Sequence, residues 1–112
     1  MSDTPVLRAV SESGDTIVDP SEDALFMMLE DIEGGESTYL IVDALRDATG
    51  QTYVQTSRNA DGTYDVEYRD GGPEHHYGTV AEDMRAAHAL VTGWAFDIPG
   101  WRDSASWEAV SV

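Results

Sequence analysis

Three strand-like segments in the middle of the chain constrain its fold more than any other feature. Residues 38–45 are almost continuously apolar, which is typical of a strand at the centre of a sheet. Residues 51–58 and 63–69 follow, and each is preceded by a short turn-forming segment that ends in a glycine, at Gly50 and Gly62. Three successive strands joined by tight turns predict an antiparallel meander.

The last of these segments alternates strictly between apolar and polar side chains. Tyr64, Val66 and Tyr68 fall on one side of the predicted strand, and Asp65 and Glu67 fall on the other. Because successive side chains of a strand point to opposite faces of the sheet, we expect one face of the meander to be buried and the other to meet solvent.

Two helices are predicted, one before and one after the meander. The first follows Asp19, a capping acid, has Pro20 at its first position and stops at a pair of glycines. The second is predicted to begin with the capping box of residues 79–82 and to run to about Ala95.

Together these elements predict an α+β fold, in which two helices pack on one face of an antiparallel sheet of four to five strands. Residues 6–10 and 74–77 are candidates for the additional strands, and we expect the tail that contains Trp101 and Trp107 to finish as a strand or a packed coil. Residues 1–112 have the size of a single domain, and we expect residues 1–4 to fray. Cysteine is absent, so neither disulfides nor thiolate–metal sites support the fold, and a cytoplasmic setting fits this composition.

The chain is strongly acidic. It has 22 acidic residues against six basic ones, all of them arginine, and a formal net charge of −16. Such a field repels nucleic acid and anionic membranes and steers basic partners toward the protein. Ten of the acids lie in residues 1–36, which favours a dedicated acidic patch. The alternative is a solubility coat or an adaptation to salt, which would produce the same charge without any partner.

The sequence contains none of the common catalytic signatures. A nucleophile elbow, a phosphate-binding glycine loop, a zinc-binding helix motif and a reactive cysteine are all missing, so we expect neither an enzyme nor a bound cofactor. His75, His76 and His88 are the candidates for a metal site. Since adjacent residues of a strand point to opposite faces, His75 and His76 are poorly placed to ligate one ion, and no metal is predicted.

Membrane association is not expected either. The apolar runs are far shorter than the roughly 18 residues that a membrane-spanning helix needs. The start of the chain also lacks the cationic and apolar regions of a secretory signal, which again indicates a cytoplasmic protein.

The first helix carries the leading candidate for a binding surface. Opposite its apolar stripe lie Phe26 and Met27, interleaved with Asp23, Glu30 and Asp31. Apolar anchors rimmed by acids suit the recognition of a basic, partly apolar protein surface. The alternative is that another segment covers Phe26 and Met27, since buried helices are also apolar all round.

A second candidate surface is the solvent-facing side of the third strand segment. Asp65 and Glu67 lie there among the predicted exposed residues, and a tyrosine-rich acidic strand is compatible with protein recognition.

A further pattern is formed by residues 53–55, 64–72 and 76–77 and by Trp101 and Trp107, within a stretch that covers about two-thirds of the chain. In these residues the chain resembles small bacterial immunity proteins of polymorphic toxin systems. The resemblance implies a compact α+β inhibitor that occludes the active site of a toxin. The matching residues belong to strands, turns and packing positions, so the resemblance assigns no contact residues.

These observations lead to three functional hypotheses. The first is a non-enzymatic immunity or inhibitor protein that binds a basic toxin of the nuclease or deaminase type. The second is a nucleic-acid mimic that blocks a DNA-binding defence protein, its carboxylates standing in for phosphates. The third is a small metal- or ligand-binding domain built around His75, His76 and His88. Oligomeric state and the partner's identity are not specified by the sequence.

Overall fold

The computed structural model describes residues 6–110, which form one antiparallel sheet with two helices. The predicted fraying of residues 1–4 lies outside this range. The strands are β1 (Leu7–Ser11), β2 (Thr16–Val18), β3 (Tyr39–Ala44), β4 (Thr52–Arg58), β5 (Tyr64–Asp70), β6 (His76–Ala81) and β7 (Glu108–Ala109). The helices are α1 (Glu22–Glu33) and α2 (Met84–Ala95), and single turns of 3-10 helix span Pro73–His75 and Arg102–Ser104.

The order of strands across the sheet is β2-β1-β3-β4-β5-β6-β7, and every neighbouring pair is antiparallel. The predicted α+β class is therefore confirmed, while the predicted count of four to five strands is too low for the seven observed. The prediction has no counterpart of β2, which has three residues, and for the tail that contains β7, which has two, it leaves a strand and a packed coil as alternatives. Segments this short show too few alternations for a sequence pattern to reveal them.

The meander forms as predicted. Its two turns place Gly50 and Gly62 at φ angles of 74° and 92°, a left-handed conformation that glycine adopts without the strain other residues incur. The register of β4 on its neighbours pairs Val54 with Val42 on one side and with Tyr68 on the other. These three side chains are buried on one face of the sheet, the face that carries the helices.

The two helices cover this buried face side by side. α1 contributes Leu25, Met28, Leu29 and Ile32 to the core, at the helical spacing expected for one buried stripe. α2 packs across β4, β5 and β6 and also contacts α1. Complete burial of a leucine side chain stabilises a fold by about 1.5–3 kcal/mol, so the α1 stripe anchors this helix firmly.

The start of α1 differs from the prediction by two residues. Ser21 is the N-cap, and its hydroxyl accepts the Ala24 N–H at 3.1 Å. Asp19 instead holds the beginning of β1, because its Oδ1 accepts the N–H groups of Val6 at 2.8 Å and Leu7 at 2.9 Å. These main-chain donors, with Leu7 the stronger, lower the pKa of the Asp19 carboxyl.

The start of α2 was predicted too early. Asp83 caps the helix by accepting the Ala86 N–H at 2.8 Å, and the helix begins at Met84. Thr79 and Val80, assigned to the helix from sequence, belong to β6 and pair with residues of β5. The cross-strand pairing outweighs the local capping pattern, because it satisfies main-chain groups of both strands.

Candidate functional site

The face of the sheet that does not carry the helices, which we call the open face, is exposed across several strands. Its side chains alternate with the buried ones, and they include Tyr39, Ile41, Asp65, Glu67 and Val80. Val80 is 61% exposed, although valine is common in the core of sheets. A sheet with apolar side chains on a solvent face offers a surface on which a partner can bury area.

Two depressions on the open face adjoin each other along a shared part of their lining. One of about 390 Å³ lies over β3 to β5 and is lined by Tyr39, and the other, of about 520 Å³, lies over β5 to β7 and is lined by Val80 and Glu108. Asp65 and Glu67 line both depressions. We call this feature the sheet groove, and these two carboxylates lie at its centre.

A glycine lies on the floor of the sheet groove, where neighbouring side chains approach the backbone closely. Gly78 pairs with Glu67 on one side and with Glu108 on the other. A Cβ atom at Gly78 would lie 3.0 Å from Cγ2 of Val110 and 3.2 Å from Cγ of Glu67. Glycine in the interior of a strand is destabilising, and it often marks a place where another group approaches the backbone closely. Here it makes room for the side chains of Val110 and Glu67, which approach the Gly78 backbone closely.

The central carboxylates of the groove are not neutralised by arginine. Asp65 accepts a hydrogen bond from the neutral side chain of Asn59 at 3.2 Å, and within residues 6–110 neither Asp65 nor Glu67 forms an ion pair with an arginine. Elsewhere on the open face, Asp43 pairs with Arg8 at 3.4 Å. The negative charge of the groove centre is thus available to a cationic partner group.

A buried histidine fixes the position of one of these carboxylates. His76 is 2% exposed, and its Nδ1 accepts the Nε–H of Arg69 at 3.0 Å. Because arginine is always protonated and only donates, Nδ1 carries no proton, and the proton of the neutral ring is on Nε2. Nε2 then donates to Oε1 of Glu67 at 2.7 Å. Arg69 also donates to Gln51 at 2.6 Å, so this chain of hydrogen bonds orients the Glu67 side chain.

The three histidines of the metal hypothesis do not converge. His76 lies on the open face with both ring nitrogens engaged, whereas His88 lies on α2, where its Nε2 donates to the carbonyl of Glu22 at 3.1 Å. His75 is exposed in the 3-10 turn. In the part of the chain that the structure describes, no three His, Cys, Asp or Glu side chains are arranged to hold a metal ion.

The structure divides the apolar pair predicted on the first helix. Met27 points away from the core and is 64% exposed. Phe26 is half-buried against α2, where its ring meets His88 edge-on at a centroid distance of 5.2 Å and lies 5.8 Å from the guanidinium carbon of Arg85. Phe26 is thus covered by another segment, α2, as the alternative interpretation of this helix expects, whereas Met27 is exposed.

The acids of this first surface remain accessible. Asp23 and Glu30 are exposed, and Asp31 is partly so. They belong to α1, on the helix-bearing side of the sheet, whereas Asp65 and Glu67 lie on the open face. The seven predicted contact residues therefore form two surfaces on opposite sides of the molecule.

Several groove residues were not singled out from the sequence. Val80 was assigned to a helix, and Gly78 and Glu108 belong to strands whose extent the pattern does not show. His76 was considered as a metal ligand and not as a group that orients Glu67. The one usable signal was Gly78 itself, an isolated glycine directly after the strand candidate of residues 74–77.

Comparison of the chain with protein-family models, with curated proteins and with solved structures finds no match. Neither helix within residues 6–110 has the length and apolar character that crossing a bilayer requires. The functional conclusion therefore rests on the geometry of the sheet groove.

Proposed function

We propose that the protein is a non-enzymatic binding module that docks a basic segment of a partner protein in the sheet groove. The observation that carries this proposal is the pair Asp65 and Glu67, whose charges have no arginine partner within residues 6–110 and lie at the centre of an exposed, partly apolar sheet face. Carboxylates in this setting bind Arg or Lys side chains more strongly than fully solvated ones, because the flanking apolar surface lowers the local dielectric constant.

Binding would proceed in two physical stages. The net charge of −16 steers a basic partner toward the protein over long range, which raises the association rate at low salt. At contact, the partner's apolar groups would cover Tyr39, Ile41 and Val80 while its cations reach the two carboxylates. The hydrogen bond from His76 holds Glu67 in place beforehand, so less side-chain entropy is lost when the complex forms.

Among basic partners we favour a toxin of the nuclease or deaminase type, with this protein as its cytoplasmic inhibitor. Such enzymes bind a polyanionic substrate, and their active sites are accordingly basic. The groove presents a compact group of carboxylates, Asp65, Glu67 and Glu108, next to apolar side chains. A mimic of nucleic acid would instead need its acids in an extended double row, so the compact group favours the inhibitor over the mimic.

The experiment compares two double variants that remove the same charge from opposite sides of the molecule. Asp65→Asn with Glu67→Gln neutralises the groove, and Asp23→Asn with Glu30→Gln neutralises the predicted surface of α1. Each immobilised protein is incubated with host lysate at moderate salt, and the retained proteins are quantified by mass spectrometry. The affinity of any partner specific to the wild-type protein is then measured with purified components.

We expect the groove variant to lose its partner by at least about tenfold in affinity, since two charged hydrogen bonds contribute more than about 1.4 kcal/mol together. The α1 variant should retain it within about twofold, the difference expected from long-range charge alone. If the α1 variant loses the partner and the groove variant retains it, the binding surface lies on α1 and not in the sheet groove. Equal, salt-sensitive losses in both variants would identify the acidity as a general coat and would remove the proposal.

A further inference from the structure

A second concave site lies on the helix-bearing side of the sheet, away from the sheet groove. It is a cleft of about 280 Å³ between the C-terminal end of α2 and the ends of β1, β4 and β5. Its walls include Trp94, Trp101 and Tyr68, and two arginines, Arg46 and Arg102, reach it from separate loops. We call it the α2 cleft.

Within residues 6–110, the arginines of the α2 cleft belong to the four of six that form no ion pair with a carboxylate. Arg8 and Arg58, elsewhere in the molecule, pair with Asp43 at 3.4 Å and with Glu33 at 3.3 Å. Arg46 and Arg102 form no ion pair with any carboxylate of residues 6–110, although acids outnumber bases by 22 to six in the sequence. Two arginines without such a pair thus line the same cleft.

The cleft also contains a hydroxyl with no protein partner. The Tyr68 residue is 3% exposed, and its hydroxyl has no hydrogen bond within residues 6–110. Since no buried side-chain oxygen of these residues lacks a hydrogen bond, the Tyr68 hydroxyl oxygen is accessible from the cleft. The same residue lines the α2 cleft. Burial raises the pKa of Tyr68, and nearby Arg102 opposes this shift only in part, so the hydroxyl is a protonated donor at neutral pH. An accessible hydroxyl without a protein partner is free to donate to a bound molecule.

We propose that the α2 cleft binds a small organic monoanion, a carboxylate attached to an aromatic body. The carboxylate would accept hydrogen bonds from Arg102 and from the Tyr68 hydroxyl, a donor set that suits its planar geometry. The guanidinium carbon of Arg102 lies 5.4 Å from the Tyr68 ring centre and 5.5 Å from that of Trp101. The aromatic body would pack against the tryptophans that form the wall.

The charge of the cleft selects against more highly charged anions. Asp70 and Asp97 line it together with the two arginines, so its formal charge is balanced. A single carboxylate can lie beside the arginines, whereas a phosphate carrying close to two charges meets greater repulsion from the aspartates. A neutral amide of the same shape lacks the charge that strengthens the bonds to Arg102.

The test uses benzoate as the probe, with benzamide and inorganic phosphate as comparisons, on the full chain. Binding is followed by tryptophan fluorescence, because Trp94 and Trp101 line the cleft, and by isothermal titration calorimetry. We expect saturable binding of benzoate. Benzamide should bind at least about tenfold more weakly, because it lacks one charge-assisted hydrogen bond, and phosphate should do so because the aspartates repel its second charge.

Three variants assign the binding to the cleft. Arg102→Gln and Tyr68→Phe should each weaken benzoate binding about tenfold or more, since each removes a donor to the carboxylate. Arg85→Gln makes the same charge change next to Phe26 and should leave the affinity unchanged. Folding of each variant is verified by circular dichroism. Absence of saturable benzoate binding, or equal weakening by Arg85→Gln and Arg102→Gln, would overturn the proposal.

Discussion

Replacement of Gly93 by alanine tests whether intrinsic helix propensity or tertiary packing has the larger effect on the free energy of unfolding. Gly93 lies inside α2 and is buried, and glycine in a helix interior is about 1 kcal/mol less favourable than alanine. On propensity alone, Gly93→Ala would therefore stabilise the protein. In the structure, however, a Cβ at this position would overlap Cβ of Trp101 and would lie 3.1 Å from its Cγ.

We expect the overlap to outweigh the propensity. Overpacking of a core costs about 1–3 kcal/mol, because side chains and backbone must move. A displaced Trp101 would also loosen its edge-on contacts with Tyr68 and Trp107, at centroid distances of 5.3 and 5.7 Å, each worth about 0.5–1.5 kcal/mol. After subtraction of the propensity gain, Gly93→Ala should lower the free energy of unfolding by about 2 kcal/mol.

The measurement is urea unfolding monitored by far-ultraviolet circular dichroism, in three backgrounds. Trp101→Ala retains the Cβ that causes the overlap, so Gly93→Ala should still destabilise the protein in that background. Trp101→Gly removes this atom, and there Gly93→Ala should stabilise by about 1 kcal/mol. Stabilisation in the wild-type background, or the same effect in all three, would refute the reasoning.

Three further predictions test local contacts, each by urea unfolding. Tyr64→Phe should cost about 1–2 kcal/mol, because the hydroxyl of this fully buried residue donates to Oε1 of Glu33 at 2.7 Å, and a variant as stable as the wild-type protein would contradict this. Asp19→Asn should lower the urea midpoint at pH 7. The pKa of the Asp19 carboxyl is lowered in the folded state, so the ionised carboxylate stabilises the fold above the ordinary value of 3.8. This stabilisation is lost as the pH falls through the lowered pKa. The difference in urea midpoint between the wild-type protein and Asp19→Asn should therefore shrink below pH 3.8. His76→Phe should cost about 1–3 kcal/mol, because the arginine and glutamate that it bridges lose a partner, and it should also weaken docking in the sheet groove.

The parts of the fold that sequence reasoning found are those with a strong local period. Alternation over residues 63–69 places Tyr64 and Tyr68 in the core and Asp65 and Glu67 on the open face, and the structure shows both. The α1 stripe at helical spacing is equally local. Each of these patterns contains enough repeats for the period to be read without knowledge of neighbouring strands.

What sequence reasoning missed depends on contacts between distant residues. The capping pattern of residues 79–82 is as good locally as a true helix start, and only the pairing of Thr79 and Val80 with β5 decides against it. Because the sequence pattern assigns Val80 to the helix, it does not predict the half of the groove that lies over β6 and β7. Gly78 and Val80 lie on the open face only if β6 continues past Tyr77. The cleft likewise joins Arg46 and Arg102, which are far apart in sequence.

The short outer strands have a consequence for how recognition can evolve. With three residues in β2 and two in β7, the rims of the sheet offer few free main-chain groups to which a foreign strand could align. A partner strand that pairs with main-chain groups at a sheet edge depends little on the side chains there. A partner that binds across the open face depends on the identity of its side chains. If a partner docks on the open face as proposed, single substitutions there can therefore change which partner binds while the hydrogen-bonded scaffold beneath is preserved.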